Sequence, residues 1–190
     1  MLKPSIFILF VCCLLACNTH KRAVSVDTTQ ATCVAHFAEQ VWDSIAKKIP
    51  QGMEEAFGFR SFEDIENSSI GEPVKMYYWQ EGNMVASNNY RVPILVEGKM
   101  VSLLTVSANE DMTSNDFGGS LLAHNIQLIS DKYRVKITGI LRIHLLRTDF
   151  LIFEKDNTSY FIPLTAHTLQ DLSQKNILKI NDIMTITKSE

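Results

Sequence analysis

Residues 135–146 constrain the fold more than any other stretch. Val135, Ile137, Leu141, Ile143 and Leu145 alternate there with Lys136, Thr138, Arg142 and His144. Successive side chains of a strand point to opposite faces, so a period of two predicts one buried face and one wet face. That is the pattern of an antiparallel sheet with a solvated side. Neighbouring segments extend the sheet: residues 150–153 and 159–163 flank the polar loop Glu154-Lys155-Asp156-Asn157-Thr158, which reads as a hairpin connection. Residues 91–96 and 100–106 flank Glu97-Gly98, a pair suited to a two-residue hairpin turn. Residues 74–79, rich in aromatics, and residues 182–187 at the end of the chain supply the remaining predicted strands.

Helical periodicity occurs in two longer segments. Over residues 31–49, Val34, Phe37, Ala38, Val41, Trp42, Ile45 and Ile49 recur at spacings of three and four, and Pro50 stops the pattern. Over residues 117–130, Leu121, Leu122, Ile126 and Ile129 form a second apolar stripe. Ser61 and Asp64 have capping-box spacing before a short helix to about residue 67, and residues 169–174 suggest one more short helix. Strands in consecutive hairpins, with helices set apart from them, define an α+β class. The expected architecture is an antiparallel sheet of about five to six strands, with the N-terminal and central helices packed on one face. This order suits a profilin- or PAS-like sheet and a cystatin-like wrap equally.

The first residues follow a different grammar. Lys3 supplies a positive start, residues 6–15 are almost uniformly apolar, and small Ala16 precedes Cys17. The apolar run is shorter than the ~20 residues a membrane-spanning helix requires. Leu14-Leu15-Ala16-Cys17 resembles the lipobox of bacterial lipoproteins, over residues 1–17 only. The resemblance implies diacylglyceryl attachment to the Cys17 thiol and cleavage before Cys17. Residues 1–16 then form a signal peptide, residues 17–30 a lipidated flexible tether, and residues 31–190 a single α+β domain. In enterobacterial lipoproteins an Asp after the cysteine retains the protein in the inner membrane, so Asn18 points to the outer membrane. His20-Lys21-Arg22 departs from the acidic surface-export signal of the Bacteroidota, which places the domain in the periplasm.

Cleavage leaves 174 residues, one domain's worth of chain, and removes Lys3, so 17 basic residues face 21 acidic ones. That balance, with no basic run beyond Lys21-Arg22, argues against nucleic acid as a partner. With Cys12 and Cys13 in the signal and Cys17 lipidated, Cys33 remains the single free thiol and forms no internal bridge. Cys33 and His36 are three apart on the first helix, but Cys33 borders the apolar stripe and reads as a small core residue. The histidines (His20, His36, His124, His144, His167) lack zinc-ligand spacing, and no cofactor motif occurs. Asn109-Glu110-Asp111 with Ser114, Asn115 and Asp116 is oxygen-rich yet lacks the calcium-loop positions. Gly118-Gly119-Ser120 lacks the lysine of a phosphate loop. Tyr77, Tyr78, Trp79 and Tyr90 suit either ligand stacking or simple packing.

One constellation remains for ligand binding. Lys136, Arg142 and His144 fall on the same face of the predicted strand, where an acidic ligand would lie across them. The sequence thus predicts an envelope lipoprotein with a non-catalytic binding domain, its partners the membrane through the lipid and an envelope protein or small ligand. The competing expectation is an envelope enzyme, or a protease-inhibitor-like domain, whose site local motifs do not reveal.

Overall fold

The structure, a computed structural model, describes residues 28–165 and 176–188. Helix α1 (Thr28–Ala46) buries Val34, Ala38 and Trp42, one residue per turn, as the sequence spacing requires. It begins at Thr28, so the last three residues of the expected tether are helical. A 3₁₀ turn (Glu54–Phe57) follows and ends at Gly58, whose φ is +95°. A Cβ there would lie 2.2 Å from the Val101 carbonyl oxygen, so only glycine lets these two backbones approach. In α2 (Phe62–Glu66) the Ser61 hydroxyl accepts from the Asp64 N–H, the cap predicted from spacing.

Among the described residues the sheet has nine strands: β1 (Ser69–Ile70), β2 (Val74–Gln80), β3 (Asn83–Val96), β4 (Lys99–Ser107), β5 (Thr113–Gly118), β6 (Ile137–Ile143), β7 (Thr148–Lys155), β8 (Thr158–Pro163) and β9 (Leu178–Lys179). Its order is β5-β4-β3-β2-β6-β7-β8-β9, with β1 paired to β3. Helix α3 (Ser120–Tyr133) connects β5 to β6, and α4 (Ile180–Lys188) follows β9. Three hairpins close through two-residue turns with both central φ angles positive: Glu81-Gly82, Glu97-Gly98 and Asp156-Asn157. Those primed turns match the twist of paired strands.

Several expectations are corrected. The sheet is larger than the five to six strands expected and is not wholly antiparallel, because β2 and β6 pair in parallel from Lys75↔Gly139 to Tyr78↔Arg142. The predicted strand 135–146 is shortened to β6, and β6 is buried on both faces. A register shift between Ile137 and Gly139 splits the apparent alternation: Ile137 and Ile140 join the core under α3, while Leu141 and Ile143 join the core that contains Ile183 of α4. A strand paired in parallel at the middle of a sheet is covered on both sides, which is the case here. The two long helices accordingly lie on opposite faces. In β4, Leu104 and Val106 pack with Val34, Ala38 and Trp42 of α1, whereas Leu103 packs with Ala123, Ile126 and Ile129 of α3.

Residues 182–187, expected as a strand, belong to α4, where Ile183 is fully buried and the Asp182 carboxylate accepts from the Lys179 N–H. The β-branched residues of this segment suggested a strand, but its apolar residues Ile180 and Ile183 are three apart and share one core. The central helix starts at Ser120 rather than 117, since residues 113–118 pair with β4. The segment 83–90, too polar to read as a strand, forms the first half of β3. The short helix expected at 169–174 lies outside the described residues.

Candidate functional site

The parallel pairing sets two side chains next to each other: Tyr78 at the end of β2 and Arg142 at the end of β6 are register partners. Antiparallel pairing then brings Asp149 of β7 opposite Arg142. The guanidinium donates from Nε to Oδ1 at 2.8 Å and from Nη2 to Oδ2 at 2.7 Å. This bidentate bond to Asp149 holds the arginine above its ordinary pKa and fixes the plane of the guanidinium. Two residues on, the His144 ring stacks on Tyr78, with centroids 5.7 Å apart and planes inclined by 9°.

The β6–β7 turn, closed by a bond from the Arg147 N–H to the His144 carbonyl, forms one wall of an open cleft. The first turns of α3 form the other, with Leu121, Leu122 and Asn125. The cleft encloses about 680 Å³ and is lined by Arg142, His144, Arg147 and Asp149. Leu121 is 73% exposed and Leu145 61% exposed, the two largest exposures among the big apolar side chains described. Ligand sites in parallel sheets form outside the carboxyl ends of the strands, and this cleft lies at that end of the parallel pair.

The structure divides the predicted constellation. Arg142 and His144 share the cleft, but Lys136 precedes β6 and sits at the other end of the strand, its Nζ 2.7 Å from the Glu72 carboxylate. It lines a second cavity of about 680 Å³ with Thr28, Ala31 and Ala35 of α1 and Pro73 before β2. Sequence reasoning named Tyr78 as a stacking candidate but did not join it to Arg142 and His144, and it missed Arg147, Asp149 and the exposure of Leu121, which the helical stripe had set on the apolar face. Tyr78 is brought in by a strand pairing that no local pattern announces, whereas Asp149 lies seven positions after Arg142 across a short turn, a signal within reach of a hairpin reading.

Other candidates resolve differently. Cys33, expected in the core, is exposed. His36 meets Gln40 at 3.0 Å and Glu39 at 3.8 Å along its own helix. Tyr77 and Tyr90 are buried packing residues. The Tyr90 hydroxyl donates to the Gln30 side-chain oxygen, and the Lys75 ammonium donates to both, clamping the start of α1 to the sheet. Asp116 lies on β5, 3.5 Å from Arg91. Among the described residues no group of three His, Cys, Asp or Glu side chains is placed to hold a metal ion, and no helix is long and apolar enough to cross a membrane. Cys17, His20 and His167 lie outside the described residues. Comparison of the chain with protein-family models, curated proteins and solved structures finds no match.

Proposed function

We propose that this chain is a lipid-anchored accessory protein of the bacterial envelope, held at the periplasmic face of the outer membrane through acylated Cys17, whose domain binds a partner in the Arg142–His144 cleft. The observation that carries the binding reading is the state of Asp149. Both of its oxygens are taken by Arg142, so the carboxylate lining the cleft is not oriented toward His144 as an acid–base partner would require. What the cleft presents instead is positive charge and exposed leucine. Leu121 and Leu122 of α3 line the cleft beside those charges, an amphipathic lining that suits a partner surface. The lipobox residues support the anchor. Helix α1 starts beside the second cavity, where β2 and β6 begin, at the opposite end of these strands from the cleft.

Two measurements test the two halves. Acyl labelling should mark the wild type and disappear in Cys17→Ser, which should also retain the precursor; labelling that persists refutes the anchor. A photocrosslinking residue at position 121 in living cells should give a discrete adduct that Arg147→Gly abolishes, whereas the same probe at position 72 should not. An adduct pattern identical at both positions refutes the cleft.

A further inference from the structure

We infer that the cleft recognises an acidic, leucine-bearing peptide segment of a partner protein. This rests on the binding reading above and names its ligand class. Asp149 engages only one edge of the Arg142 guanidinium. Its Nη1 end has no partner among the described residues, so a second carboxylate can be accepted by an arginine already fixed in orientation. Arg147 adds a second positive charge on the turn, and His144 lies flat on Tyr78 beside it. The single opposing charge, Asp149, is already paired.

The leucines decide between kinds of anion. Leu121, largely exposed, and Leu122 line the cleft from α3 beside these cations. An inorganic anion gains nothing from them, while a peptide that alternates acidic and apolar side chains covers both. The cleft is open along its length and suits an extended segment rather than a fully enclosed small molecule. A lipid headgroup offers similar charge. Competition between peptide and soluble lipid separates the two sources.

The test uses the full chain in detergent and fluorescein-labelled synthetic peptides that alternate Leu with Asp, read by fluorescence anisotropy. Matched peptides replace Asp by Lys or Leu by Ser. The Leu-Asp peptide should bind roughly tenfold or more tightly than either, and Arg147→Gly and Leu121→Ser should each weaken it by a comparable factor. Lys136→Ala should leave it unchanged, with circular dichroism confirming that every variant is folded. Equal binding of the three peptides, or insensitivity to Arg147→Gly, would overturn the inference. So would displacement of the peptide by soluble dihexanoyl phosphatidylglycerol at lower concentration than by unlabelled peptide, which would identify a headgroup site. Loss of peptide selectivity with the crosslink at position 121 intact refutes the ligand class alone; loss of both refutes the cleft.

Discussion

Gly139→Ala probes the parallel pairing on which the cleft depends. Gly139 is opposite Lys75 in β2 and Ile152 in β7, and the Tyr77 ring covers it. A Cβ there would lie 2.7 Å from Tyr77 Cε2 and 3.1 Å from Ile152 Cδ1, inside the ordinary contact range of 3.4–4 Å. Tyr77 is 5% exposed and Ile152 fully buried, so neither can swing into solvent. Alanine would otherwise favour a strand over glycine by about 0.5–1 kcal/mol, but overpacking a tight core costs ~1–3 kcal/mol. A ring locked between two central strands belongs at the upper end of that range, giving a net loss of about 2 kcal/mol. For a domain of this size that loss lowers Tm by about 4–8 °C. The decisive comparison is a double-mutant cycle by urea denaturation: in a Tyr77→Leu background, with the ring gone, the alanine should cost less than about 0.5 kcal/mol. Equal cost in both backgrounds, or none in the wild type, would refute the packing argument and the β2–β6 register behind it.

Gly58→Ala should destabilise by ~3 kcal/mol or prevent folding, because it adds a left-handed strain to a 2.2 Å approach to the Val101 carbonyl; a midpoint within error of wild type would refute this. Burial, aided by Tyr90 and Glu154, pushes the Tyr77 hydroxyl from 10.0 up to about 12. The unfolded phenol ionises first, so stability is intact below pH 10 and falls as pH rises toward 12, by roughly 2–3 kcal/mol in all. Alkaline titration followed by phenolate absorbance should show a late component that Tyr77→Phe removes.

Local chemistry was readable wherever one segment decided its own structure. The Glu97-Gly98 turn, the Ser61–Asp64 cap and the Val34, Ala38, Trp42 stripe each depend on residues within one or two turns of each other. Reading failed where distant pairing decided. The residues of β6 suggested a half-wet strand because a register shift placed two apolar sets on opposite faces in apparent phase. Glu81-Gly82 repeats the Glu97-Gly98 signal, but the polar residues after it hid the strand it begins. Of the predicted site, Arg142 and His144 remained together because two positions along a strand suffice; Lys136 was lost because it lies beyond the shift, beside Glu72.

The parallel seam also bears on how the chain assembles. Strands β2 to β4 can zip through tight turns soon after they exist, and so can β6 to β8, whereas joining Lys75 to Gly139 must close a loop of about 64 residues. Loop-closure entropy makes such a joint late. The two meanders then act as preformed halves, and the Tyr78–Arg142 neighbourhood exists only after they meet. In stopped-flow kinetics the penalty of Gly139→Ala should appear chiefly as faster unfolding with refolding little changed, and slowed refolding would mean that the seam forms early.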